Sequence, residues 1–80
     1  MKGLENRTAV VTGAARGIGE GIAVRLAAES MNVVVTDVDA DGAARVVRAI
    51  QKAGGKAVSV VADVSNEADA ARIVKTALNT

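Results

Sequence analysis

Cysteine, histidine, proline and all three aromatic residues are missing from this 80-residue chain. Without cysteine there are no disulfides and no thiolate metal sites, and without histidine the commonest metal ligand and general base are gone. The apolar half of the sequence is almost wholly Ala, Val, Ile and Leu. Its core must therefore be assembled from small and branched side chains. No stretch approaches the roughly 18 apolar residues of a membrane span. The opening Met1-Lys2-Gly3-Leu4-Glu5-Asn6-Arg7 is charged and lacks the apolar run of a secretory signal. Neither sign of charge dominates: ten Lys+Arg and nine Asp+Glu are interspersed, for a net charge of +1, which argues against a nucleic-acid surface. Together these absences predict a cytoplasmic protein with no metal, no membrane contact and no nucleic-acid partner. A chain this short buries only about 60–65% of its unfolded surface, so its stability is expected to be small.

What is present has a clear order. Thr8–Thr12, Asn32–Asp37 and Lys56–Ala62 are short, β-branched runs with polar ends, and they read as strands. Between the first two, Ile18, Ile22 and Leu26, with the small Ala23 and Ala27, recur at helical spacing, while Glu20, Arg25 and Glu29 point elsewhere. A second helix carries Ala43, Val46, Val47 and Ile50 on one stripe and Arg45, Arg48 and Lys52 off it, with Asp39 or Asp41 as its cap and Gly54-Gly55 at its end. A third carries Ala70, Ile73, Val74 and Ala77 behind a Ser65 cap, with Glu67 and Asp69 near the positive end of its dipole. The order is βαβαβα. Right-handed crossovers then give a parallel sheet of strand order 3-2-1, buried on both faces as Val-rich strands require.

One connection is unusual. In Thr12-Gly13-Ala14-Ala15-Arg16-Gly17-Ile18-Gly19 a strand ends and a helix begins, so N–H groups without helical partners and the helix dipole face whatever lies beyond, ideally a phosphate. Gly13 suits a tight turn, Gly17 lets a pyrophosphate approach bare backbone, and Gly19 lets the helix pack close to the first strand. Asp37 closes the second strand 18 residues after Gly19, where an acid can accept hydrogen bonds from a ribose diol. A Walker-type loop needs Gly-Lys-Ser/Thr, which is absent, so phosphoryl transfer is disfavoured. A methyltransferase-like module binding S-adenosylmethionine shares glycines after strand one and an acid after strand two. A folding scaffold whose motifs are idle is the remaining alternative.

The string TGAARGIG from Thr12 to Gly19, Asp37 behind it, and Asp63-Val64 after the third strand closely resemble the classical short-chain dehydrogenase/reductase family over essentially the whole chain. The resemblance implies a Rossmann-like half-domain covering residues 1–80, with the cofactor pyrophosphate at Thr12, Gly13, Arg16, Gly17, Ile18 and Gly19. It implies that Asp37 selects NAD over NADP through the 2′-OH and that Asp63 and Val64 contact adenine. Arg16, placed where many NADP-preferring members carry a basic residue, tempers that choice. The family continues into a fourth strand and a Tyr-x-x-x-Lys pair that handles the proton. Here the chain ends at Thr80 and holds no Tyr, so the reading is of an oxidoreductase's front portion, truncated before the fourth strand, without catalytic residues and inactive alone. Ser30-Met31 stands where members usually have Gly-Ala, so strain or fraying is expected where the first helix ends. With order 3-2-1 the first strand lies on an edge, which predicts either a homodimer through that edge or pairing with a missing C-terminal half.

Overall fold

The computed structural model describes residues 5–80; the reading of residues 1–4 as part of a charged N-terminus lies outside the described residues. Six elements alternate: β1 (Thr8–Thr12), α1 (Gly17–Ala28), β2 (Asn32–Asp37), α2 (Ala40–Lys52), β3 (Lys56–Val61) and α3 (Glu67–Leu78). β2 lies between β1 and β3, and both pairs are parallel, with Val10, Val34 and Val58 abreast. The expected order is therefore found. β3 stops one residue short of Ala62, although the Ala62 N–H still donates to the Asp37 carbonyl at 3.1 Å.

Side-chain alternation along the central strand builds two cores. Val33 and Val35 face α1 and α2, where Val11, Ala23, Ala27, Ala43, Val46, Ile50 and Ala57 close the layer. Val34 faces the other way, with Val60, Ala62 and Ile73 beneath α3. All three valines are fully buried, each contributing roughly 1.5–3 kcal/mol on removal from water. That is why β2 shows no in/out alternation of polarity.

Two helices sit differently from their periodicity. α1 turns Ala23 and Ala27 to the sheet, with Leu26 half-buried, and leaves Ile18 and Ile22 exposed at 84% and 47%. The helix is apolar nearly all round, so spacing alone could not choose a face. Close contact with a valine sheet chooses the alanines. On α3 only Ile73 is fully buried, while Val74 is 58% exposed. Its N-cap is Asn66, whose side chain accepts from the Asp69 N–H, and not Ser65. Ser65 instead donates its N–H and hydroxyl to Asp63 Oδ1, forming a turn one residue too early to cap. For α2 the choice between two aspartates falls on Asp39, which accepts from the Gly42 N–H at 3.0 Å.

α1 and α2 end alike despite different residues. After α2, left-handed Gly54 donates to the Gln51 carbonyl and Gly55 to that of Ile50. After α1, Ser30 takes the same conformation, φ 65°, donating to Ala27, while Met31 donates to Leu26. The expected strain is present at Ser30, but the end is not frayed, because both closing bonds of the motif are made. Ser30→Gly should therefore raise stability in urea denaturation by about 0.5–1 kcal/mol, relief of left-handed strain outweighing the added unfolded-state entropy. An unchanged or lower midpoint would contradict this account of the α1 terminus.

Candidate functional site

At the C-terminal end of β1 the chain enters α1 through a glycine turn. Gly13 and Gly17 both take left-handed φ, 61° and 59°, and nothing lies within 4 Å of where a Cβ would stand on either. Gly19 is the opposite case. A Cβ there would fall on the Gly13 carbonyl oxygen and 2.8 Å from its carbon, so α1 approaches the turn as closely as backbone permits. The turn is tied to β2: the Ala14 N–H donates to the Thr36 carbonyl and the Ala15 N–H to Asp37 Oδ2, both at 3.1 Å. Arg16, extended, is the N-cap of α1, and its side chain makes no capping bond. Asp39 and Asn66 do cap α2 and α3, so α1 is the helix whose start is left open by its own cap residue.

Beside the turn is a cleft of about 200 Å³ lined by Gly13, Thr36, Asp37, Val38, Ala62, Asp63 and Val64. It gathers Gly13, Asp37, Asp63 and Val64 into one place. Thr12 at the end of β1, Arg16 in the adjoining turn, and Gly17, Ile18 and Gly19 in the first turn of α1 lie outside its wall. A larger groove of about 470 Å³ opens at the far end of the sheet, between the ends of α1 and α2, with mainly Ala, Val, Ile, Met and Gly in its lining. Its size is greater, but the glycine turn, the open start of α1 and Asp37 lie at or beside the smaller cleft.

Electrostatics there favour binding over proton transfer. Asp37 is held below the usual carboxylate range first by the Asp39 N–H, then by the Ala15 N–H, with Arg16 adding its charge against the opposing effect of burial. Asp63 is lowered by the Ser65 hydroxyl and N–H. Both are ionised acceptors at neutral pH and poor general acids. Behind them, Asp69 accepts from the Asp63 N–H at 2.9 Å, and Arg72 joins Asp69 to the Val61 carbonyl. Thr36 lines the cleft, and its hydroxyl, fully buried, has no protein partner.

Several members of this constellation were not foreseen from sequence. Arg45 and Glu20, read there as facing away from the core, form an ion pair at 3.0 Å. Arg45 also donates to the Ala15 carbonyl at 2.7 Å. No local spacing relates residues 25 positions apart on different helices. Thr36 gave no signal either, since a threonine inside a strand is ordinary.

A parallel sheet with helices on both faces, a glycine turn feeding an open helix start, and an ionised acid at the end of the next strand form the arrangement characteristic of Rossmann-like α/β folds. The chain belongs to the short chain dehydrogenase family, whose profile matches residues 7–80. It is 49% identical over 78 residues to glucose 1-dehydrogenase 2 of Bacillus subtilis, covering 96% of this chain and 30% of that protein. To the 7alpha-hydroxysteroid dehydrogenase of Escherichia coli it is 37% identical over 76 residues, again covering 30% of the relative. A solved 7 alpha-hydroxysteroid dehydrogenase complexed with NADH and 7-oxo glycochenodeoxycholic acid superposes with a TM-score of 0.92 at 37% identity, over 95% of this chain and 30% of that one. A short chain dehydrogenase/reductase from Burkholderia phymatum in complex with NAD also gives 0.92, at 35% identity, over 99% and 28%. The chain thus spans about 30% of the length of the curated relatives it matches. No helix among the described residues is long and apolar enough to cross a membrane.

Proposed function

We propose that residues 1–80 form the adenosine-diphosphate-binding half-domain of an NAD-dependent oxidoreductase in a cytoplasmic setting. The observation that carries this reading is the turn with left-handed Gly13 and Gly17 leading into a helix start that its own cap residue leaves open, beside the ionised Asp37. Thr12, Gly13, Arg16, Gly17, Ile18 and Gly19 would hold the pyrophosphate, Asp37 the ribose diol, and Asp63 and Val64 the adenine. When bound, the nicotinamide supplies a hydride acceptor or donor. The residues of this chain bind and orient, and with no tyrosine present they carry out no proton transfer of the family's kind.

ADP-ribose should bind in the high-micromolar to millimolar range, about −4 to −6 kcal/mol, with S-adenosylmethionine far weaker. Gly13→Val puts a branched side chain in the phosphate's place and should abolish the calorimetric signal. An unchanged titration at equal folded fraction would remove the cradle from the proposal. Preference for S-adenosylmethionine would replace it with the methyltransferase-like reading.

The partner of the β1 edge is a second part of this proposal. β1 pairs on one side only among the described residues, Val10 is 41% exposed, and α3 crosses back from β3 to pack on β1. A further strand beside β1 would complete the sheet, supplied by a longer chain or by a second copy related by a two-fold axis. For the 80-residue chain we expect the second copy, and Val10→Lys should shift sedimentation from dimer to monomer. A wild-type monomer that unfolds cooperatively at high micromolar concentration would end this part.

A further inference from the structure

The peptide between Ala15 and Arg16 lies in the middle of the glycine turn, and α2 grips it from outside. Arg45 places both terminal nitrogens on Glu20, at 3.2 and 3.0 Å, and Nη2 also donates to the Ala15 carbonyl at 2.7 Å. Ala15 is 2% exposed and is held from β2 as well, through its N–H on Asp37 Oδ2. Gly42, in the first turn of α2, packs so tightly that an added Cβ would fall 2.8 Å from that of Ala15. The Arg45–Glu20 pair is partly exposed and in contact with solvent, and surface pairs are worth about 0–1 kcal/mol. Its importance therefore lies in geometry rather than in global stability.

A trans peptide points its C=O and N–H in opposite directions. With the Ala15 carbonyl drawn toward α2, the Arg16 N–H faces the open side of the turn. If that peptide were free to rotate, a carbonyl dipole could take the place of the donor and repel an anion. We propose that Arg45 is a positioning residue of the phosphate cradle, acting through the Ala15 carbonyl and aligned by Glu20. The inference rests on the nucleotide-binding reading above and adds a control element on a different helix.

Arg45→Met keeps the aliphatic stem and removes the guanidinium, while Arg45→Lys keeps one donor. Calorimetry should show Arg45→Met weakening ADP-ribose by about five- to tenfold, the net size of one ordinary hydrogen bond, with adenosine changed less than about twofold. Arg45→Lys should recover part of the loss. Equal weakening of both ligands, or of neither, overturns the positioning role, since a merely structural defect acts on both. Amide hydrogen exchange supplies an arm that needs no ligand: in Arg45→Met the Ala14 and Ala15 amides, which donate to the Thr36 carbonyl and to Asp37, should exchange about tenfold faster while those of Val33 to Val35 stay protected. If the wild-type chain fails to bind ADP-ribose, the nucleotide reading falls, and the exchange result alone decides Arg45. Unchanged turn amides refute the inference in either case.

Discussion

Gly19→Ala should destabilise the chain by about 2–3 kcal/mol, near the upper end of what overpacking costs, because the new methyl meets backbone that cannot move aside. The atoms in its way are the carbonyl oxygen and carbon of Gly13, held by the turn, and not the end of a flexible side chain. For 80 residues the whole folding free energy is on the order of 4–12 kcal/mol, so a large share is lost, and nucleotide binding goes with it as α1 is pushed off β1. Gly21, two residues along the same helix, is exposed and has nothing within 4 Å of its added Cβ. Gly21→Ala should instead gain about 0.5–1 kcal/mol from helix propensity. Urea denaturation of the two variants beside the wild type measures both signs at once. Equal stability of Gly19→Ala and wild type would mean that the close approach of α1 is not required.

Replacing Asp37 should alter cofactor choice more than any other single change. In the wild type, 2′-phospho-ADP-ribose should bind at least about tenfold more weakly than ADP-ribose, since two like charges meet at one ribose and a close repulsive pair discriminates by roughly this much. Arg16 faces the same carboxylate and offsets the repulsion only in part. The aspartate serves the Ala15 and Asp39 N–H groups with separate oxygens; Asp37→Asn keeps one acceptor oxygen, enough for one of them, so part of the tie to the turn should persist while the charge is gone. The ratio of the two affinities should then approach one or invert. Asp37→Ala should also weaken ADP-ribose itself, having removed the acceptor that holds Ala15. If the asparagine variant keeps the wild-type ratio, the carboxylate serves only to tie the turn to β2.

Most of the architecture could be read from the chain, because the signals that set it are local. Strand limits followed from β-branched runs ended by polar residues, and α2 from a stripe whose off-face positions are charged. Where local signals were degenerate, the reading missed. α1 is apolar on two faces, so choosing Ala23 and Ala27 over Ile18 and Ile22 needs the sheet it packs on. Ser65 and Asn66 are both good caps in adjacent positions, and the Asp63 turn that occupies Ser65 decides between them. Glycines and Asp37 were legible because each has a positional reason within one turn or strand end. Arg45, Asp69 and Thr36 were not, since their contacts depend on how separate elements are juxtaposed.

The uniform register has a kinetic consequence. Each strand of β1 and β2 pairs with residues 24 positions further along, so both crossovers close loops of the same size, at about 3 kcal/mol of chain entropy beyond a constant. Chain entropy thus favours neither half as the nucleus, and the helix that each crossover brings must break the tie. α2 delivers Val46 and Ile50 to the sheet, whereas α1 delivers alanines. The β2–α2–β3 half should consolidate first and reopen last, leaving β1 and α1 as the weaker cooperative unit. The glycine turn belongs to that unit, so a nucleotide bound there would act as a staple, closing the late-forming half onto a finished one.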